Sequence, residues 1–482
     1  MIGSWLPIRL AVLACLPLIA ACTTISAERL QGQVGQTVAD HLAQPTGWSV
    51  ATPDDQAVRE RVEQLLGASL TVERAVGIAL LNNRDLRALL SRLEIARGDM
   101  VQAGLLDNPV FAVSLLSGSG GTEVEYALLA NFLDLFTLAA RRKMAVVQLE
   151  RTRLAVADAV LDLAADVKHT YFALLADRQA MDLYRDSLEL ADAAAALADR
   201  QHAAGTLGTR EQAVHQSMLA RMTIAAQRAE AQYTAGRETL NRLLGVRGAD
   251  TQWELPSGWP DPPPVLPGRD PLEQQALTLR LDLAARKAEL QAVQMAVALA
   301  RQTRWLSLLG ISFRLKRDES GNYSRGPGVE FGLPVFNRSQ GRIAALEAQR
   351  AEAEHRYAQL AIDVRAEVRA AVARLAASHS AVGLYRQRIL PLADRVLAET
   401  LRLYNGMLVD VYALLEAKQM QIGALRDFVA ATRDFWHAWI DLERGLGAAL
   451  PRPLAGAAAE HHTDPRPAGN GHLGHDQGGT GQ

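Results

Sequence analysis

The chain repeats itself once. Ala79-Leu80, Asp85-Leu86 and Ala88 recur as Ala276-Leu277, Asp282-Leu283 and Ala285, 197 positions later. Phe136, Arg142 and Ala145 recur as Phe336, Arg342 and Ala345 at a spacing of 200, and Gly205 as Gly406 at 201. Leu240-Asn-Arg242-Leu-Leu244-Gly245 returns as Leu442-Glu-Arg444-Gly-Leu446-Gly447 at 202. The matches keep one order while the spacing drifts, as short loop insertions between two copies of a unit produce. The copies span 70–247 and 271–450. A linker over 248–270, with Pro-Ser-Gly-Trp-Pro-Asp-Pro-Pro-Pro-Val-Leu-Pro-Gly at 256–268, can be neither helix nor central strand.

Each copy predicts the same series of elements. A helical segment comes first, Leu70 to about Leu105 and about Pro271 to Thr303, with apolar residues such as Leu86, Leu89, Leu90, Leu93 and Ala96 three and four apart. Then Pro109–Ser117 and Glu123–Asn131 flank a Gly/Ser turn, and Leu306–Arg317 and Gly328–Phe336 flank a loop with Gly321, Asn322 and Gly326. Both pairs read as β-hairpins. A long helix follows, Ala139–Ala203 and Arg342–Tyr404, interrupted by proline only at Pro391. Breaks at Gly205-Thr206-Leu207-Gly208 and Asn405-Gly406 precede return helices that end at Gly245 and Gly447.

A helix of roughly 60 residues spans on the order of 90 Å. The pre-hairpin helix and the return helix together match that length, so stacked end to end they line the long helix throughout. Such a bundle is a wall, too long for a compact core. Composition agrees: 49% of residues are hydrophobic but only 5% aromatic, which suits long helices packed through small side chains. The 51 Lys+Arg against 53 Asp+Glu leave no surplus of cations for a nucleic-acid backbone.

The predicted strands have the length of tilted transmembrane β-strands, about nine to eleven residues. Two copies give four strands, and the smallest transmembrane barrels need about eight. Open strand edges in lipid leave unpaired N–H and C=O groups at several kcal/mol each by order of magnitude. Hairpins that enter the membrane therefore require strands from several chains and a closed symmetric assembly. The alternative at this stage is a pair of soluble hairpins packed on the helices.

Arg9 precedes an apolar run from Leu10 to Ala21, which is too short to cross a bilayer and suits a signal peptide over 1–21. The run ends in Ile19-Ala20-Ala21-Cys22, which resembles the lipobox of bacterial lipoproteins. Cys15 is lost with the peptide, so Cys22 has no partner for a disulfide, and we expect it to carry a covalent lipid, followed by an extension over 22–69. Thr23 in place of an inner-membrane-retaining Asp suggests the outer membrane.

The order of elements resembles the TolC-like outer membrane efflux proteins, over about Leu70 to Gly447. The matching pieces are Ala79-Leu-Leu-Asn-Asn-Arg-Asp-Leu86, Asn108-Pro109, Gly332-Leu-Pro-Val-Phe-Asn337 with Gly341-Arg342, and Tyr404-Asn-Gly406 with Leu414-Leu-Glu-Ala417. The resemblance implies a mainly α fold with transmembrane β: a long α-helical barrel, or tunnel, continued by a β-barrel of four strands per protomer. It also implies a homotrimer with a twelve-stranded barrel, serving as the passive exit duct for a periplasmic adaptor and an inner-membrane pump. Met407-Leu-Val-Asp410-Val-Tyr412 looks more like members associated with heavy-metal export.

In that family the two turns far from the hairpins meet the adaptor or pump. The docking candidates are Gly205, Thr206, Leu207 and Gly208 on one tip and Gly406, Met407, Leu408 and Asp410 on the other. Gly205 and Gly406 suit a left-handed reversal, while Leu207, Met407 and Leu408 are apolar residues expected at an exposed tip. Asp410, once per protomer, would form a small acidic ring at the mouth. No P-loop, GxGxxG, HExxH, nucleophile elbow or paired CxxC is present, so we expect no enzyme, no metal centre and no cofactor beyond the lipid on Cys22. His461, His462, His472 and His475 lie in a Gly-rich tail over 451–482 that reads as solvated and disordered, with binding of a divalent metal as the alternative. A structural helical lipoprotein without a pore is the alternative function, and it would lack ionic conductance.

Overall fold

The computed structural model describes residues 26–42, 55–118, 121–263, 266, 271–305, 309–318 and 320–450. The expected signal peptide, Cys22 and the expected disordered tail over 451–482 lie outside the described residues. Two helices lead in, α1 (Ala27–Leu42) and α2 (Asp55–Leu66). The first half runs α3 (Val72–Asn82), α4 (Arg84–Ala103), β1 (Val110–Gly118), β2 (Gly121–Asn131), α5 (Leu133–Ala203) and α6 (Thr209–Leu244). The second runs α7 (Leu272–Leu279), α8 (Leu281–Thr303), β3 (Leu309–Arg317), β4 (Tyr323–Phe331), α9 (Gln340–Leu384), a π-turn (Tyr385–Ile389), α10 (Leu390–Asn405) and α11 (Val411–Leu446). α5 alone, 71 residues, is about 105 Å long.

The helix expected before each hairpin is two helices. The breaks fall at Asn83 (φ −64°, ψ 124°) and Arg280 (φ −65°, ψ 123°), where neither proline nor glycine signals one. Both are set by packing against the left-handed glycine that ends the return helix, Gly245 (φ 69°) or Gly447 (φ 71°). At the first joint Asn83 Nδ2 donates to Leu243 O (2.9 Å) and Asn82 Nδ2 to Gly245 O (2.7 Å), and Asn83 Oδ1 caps α4 by accepting from Leu86 N. At the second, the Arg280 guanidinium pairs with Asp282 (2.6 Å) and with Glu367 of α9.

The second long helix also differs from expectation. It is α9 and α10 joined by a π-turn one residue before Leu390-Pro391. Proline lacks an N–H and its ring collides with the carbonyl four residues back, and the wider turn lets the helix continue past it.

The core is a belt at mid-length. Val156, Val160, Ala164, Val167, Tyr171 and Leu174 of α5 repeat at three and four and meet Phe435, Trp439, Ile440 and Leu446 of α11. Phe172 stacks between Trp436 (4.9 Å) and Trp259 of the linker (6.2 Å), whose indole N–H reaches Gln179 (2.6 Å). Nearer the turns the buried residues of α5 are Ala191, Ala194, Ala195 and Ala198, small enough for close helix approach.

Candidate functional site

At one end, the four strands form one antiparallel sheet in the order β1-β2-β3-β4. β4 begins at Tyr323 and stops at Phe331, earlier than the expected Gly328–Phe336. The turn is the first part of the expected loop, Asp318–Asn322, held by Asn322 N donating to Asp318 Oδ1 (2.7 Å), while the rest of that loop with Gly326-Pro327-Gly328 is strand. Pro327 lies opposite Phe313 in this outermost strand of the protomer's sheet.

The register sorts the side chains into two faces. Phe111, Val113 and Leu115 share a face with Tyr126, Leu128 and Ala130, with Ile311, Phe313 and Leu315, and with Pro327, Val329 and Phe331. The opposite face carries Ser114, Glu123, Glu125, Ser312, Arg314, Lys316, Ser324 and Glu330 together with the apolar Val110, Leu116 and Leu129, and the first face ends toward the turns in Arg317 and Arg325. On it Lys316 pairs with Glu123, and Arg314 lies 3.9 Å from Glu125. An apolar band backed by a polar, ion-paired face is the pattern of a strand wall between lipid and water. Gly328 lets Ser312 Oγ lie close on the polar face, since a Cβ there would sit 2.5 Å from it and turn the hydroxyl aside. No helix among the described residues is long and apolar enough to cross a membrane.

At the far end the two turns lie side by side. Tyr412 donates to Gln201 Oε1 (2.7 Å) and its ring stacks on His215 at 4.4 Å, which ties one tip to the other. Their backbones follow one pattern, 202 positions apart. Ala204 and Gly406 cap the long helices with nearly the same dihedrals, φ −82° and −80°. The left-handed residues that follow are Gly205 (φ 74°) and Met407 (φ 56°). Gly406 is therefore the counterpart of Ala204, and the left-handed position expected at Gly406 belongs to Met407, a strained place for a long side chain. Met407 is 93% exposed and Leu408 74%, whereas Leu207 is half-buried. His202 Nδ1 contacts Leu207 O at 3.0 Å, and Thr206 Oγ1 donates to Gln201 O at 3.0 Å.

Gly208 and Asp410 are the N-caps of the return helices. Asp410 Oδ1 accepts from Ala413 N at 2.9 Å, so this carboxylate has a structural partner. Asp410→Ala should lower stability by about 1 kcal/mol through the lost cap, and Asp410→Asn by much less. Paired thermal melts check this, and equal losses in the two variants would remove the capping role. Among the described residues no three His, Cys, Asp or Glu side chains gather into a metal site.

A two-faced sheet open at both edges, a helical wall and paired tips are the parts of a duct. The family model for outer membrane efflux proteins matches residues 75–246 and 272–448. The chain belongs to the outer membrane efflux protein family. It is thus an outer membrane channel protein and not an enzyme. It is 24% identical over 384 residues to the cobalt-zinc-cadmium resistance protein CzcC of Cupriavidus metallidurans, covering 78% of this chain and 90% of that protein. Its fold matches the Campylobacter jejuni CmeC outer membrane channel, with TM-score 0.67, 18% identity, and 78% and 85% of the two chains covered. It also matches CusC, with TM-score 0.63, 18% identity, and 85% and 97% covered.

Sequence reasoning missed the helix joints and the left-handed Met407. The first had a signal in the repeated Leu-Gly at 244–245 and 446–447. The second had none, because methionine does not advertise positive φ.

Proposed function

We propose that this protein is the exit duct of a tripartite efflux system, a homotrimer whose twelve strands close one barrel and whose helices form the periplasmic tunnel. The observation that carries it is the sheet: one apolar face, one ion-paired face, and outer edges on β1 and β4 with no strand partner among the described residues. Four strands cannot close in lipid. The work comes from an inner-membrane pump reached through a periplasmic adaptor, and Met407 and Leu408, with Gly205–Gly208 beside them, are the docking tips. The likeness to a cobalt-zinc-cadmium resistance protein puts heavy-metal cations first among the cargoes to test.

The purified protein should run as a trimer in mild detergent and conduct ions in planar bilayers. A conducting monomer would overturn the shared barrel, and absence of conductance would favour the structural lipoprotein. Met407→Asp with Leu408→Asp should abolish export while trimer and conductance persist, and unchanged export would exclude the tips from docking.

Cys22 carries the lipid in this reading, and the reach of the chain supports it. Arg153 Nη1 donates to Thr37 Oγ1 at 3.0 Å, and His41 and Leu42 line a small cavity with Leu161 and Ala165, so α1 runs parallel to α5. Ala27 then lies about 15 Å short of the sheet end of α5. The five residue steps back to Cys22 span at most about 17 Å, enough to bring its thiol to the bilayer. Cys22→Ser should lose acylation, read by intact mass. A wild-type mature N-terminus upstream of Cys22 without lipid refutes the anchor.

A further inference from the structure

Half-way along the bundle two imidazoles meet across the seam between the halves. His169 of α5 and His437 of α11 pack edge to face with ring centroids 4.7 Å apart. His437 Nε2 lies 3.1 Å from His169 O, and His169 Nε2 lies 3.1 Å from Asp441 Oδ1. A backbone carbonyl and a carboxylate only accept, so both Nε2 atoms carry hydrogen, and the Nδ1 of a neutral His437 ring is bare. Around the pair stand Asp441, Arg433 and Asp434 from α11 and Arg374 from α9, whose guanidinium is 3.5 Å from Asp441. Arg433 in turn faces Asp177 of α5.

We propose that the His169–His437 pair is a proton-operated latch on the seam between α5 and α11, closed while His437 is neutral at pH 7 and released when His437 takes up a proton. The added proton goes to His437 Nδ1, which turns a half-buried ring into a cation facing the Arg433 charge and packed against the His169 ring. Burial first, and His169 second, hold the His437 imidazole below its ordinary value. The sign follows: a base held low in the folded state adds stability above its unfolded value, about 6.5, and that stability is lost as pH falls through it. Asp441, held low chiefly by its hydrogen bond from His169, stays ionised throughout that range and anchors the other ring. Because the pair joins a helix of the first half to a helix of the second, release loosens the wall between the two halves without touching sheet or tips.

Hydrogen exchange on the full-length protein in detergent tests this, in peptides covering 165–172 and 433–441 between pH 7.5 and 5. After correction for intrinsic exchange, the wild-type opening rate should rise about tenfold per pH unit below about 6.5, the slope of one proton taken up on opening. His437→Gln keeps an N–H near the Nε2 position and does not titrate, so its profile should be flat. His437→Phe carries the same test if the glutamine variant fails to assemble. A flat wild-type profile, or a slope retained in the variants, overturns the latch. Protection that appears only with added zinc and vanishes with chelator makes the pair a metal site and overturns it as well.

Discussion

Glu443→Ala should be among the most destabilising single changes in this chain, by about 3–5 kcal/mol. Its carboxylate is buried in the belt where three parts of the chain meet. Oε2 accepts from Lys168 Nζ at 2.7 Å, and Oε1 accepts from Trp439 Nε1 at 3.0 Å and from Leu450 N at 3.3 Å. The side chains of Lys168 and Glu443 are only 10% and 8% exposed. Alanine leaves an ammonium buried with no counter-charge and strands two N–H donors. The loss is therefore the cost of an uncompensated charge more than the worth of the pair. Lys168→Met with Glu443→Leu should recover most of it, because burying neither charge removes both desolvation costs. Denaturant midpoints of wild type, Glu443→Ala and the double variant decide the matter. A single variant within 1 kcal/mol of wild type would mean water already reaches Lys168.

The order of elements was legible because local signals and the long repeat agree. Helical spacing over Leu86–Ala96, the Gly-Ser turn after Ser117 and the glycines at 245 and 447 each mark an element without help from the fold. The start of β4 falls earlier than its residues suggest because Gly326-Pro327-Gly328 is turn chemistry by composition, and only the pairing opposite Ser312 and Phe313 makes it strand. The π-turn at Tyr385–Ile389 follows from Pro391, but its width is a choice among kink, break and bulge that the residues alone leave open. Of the tip residues, Leu408 and Met407 are as exposed as their apolar character made notable, while Leu207 is drawn inward with the turn that His202 braces. The His169–His437 contact was illegible, since 268 residues separate two histidines that share no motif.

The glycines at the two joints should rank by what a methyl group meets there. Gly245, Gly447 and Gly205 all have positive φ, 69°, 71° and 74°, so alanine costs each about 1–2 kcal/mol for left-handed geometry. Space then separates them. A Cβ on Gly245 would stand 2.7 Å from Asn82 O, a backbone carbonyl between two capped helices that cannot step aside cheaply. On Gly447 it would meet Arg280 Cα at 3.2 Å and Arg280 N at 3.3 Å, contacts that a few tenths of an ångström relieve. On Gly205 nothing lies within 4 Å. Overpacking adds roughly 1–3 kcal/mol where it forces backbone to move. Gly245→Ala should accordingly lose about 3–5 kcal/mol, Gly447→Ala less, and Gly205→Ala only the conformational part. The joints also differ in what they can spare. Forcing Asn82 away breaks its bonds to Leu244 O and Gly245 O (3.2 and 2.7 Å), whereas a shift of a few tenths of an ångström at the Arg280 backbone leaves its carboxylate partners within reach. Denaturant midpoints for the three alanine variants supply the ranking. Equal losses would show that left-handed strain alone decides, and that the close approach of Gly245 to Asn82 relaxes without cost.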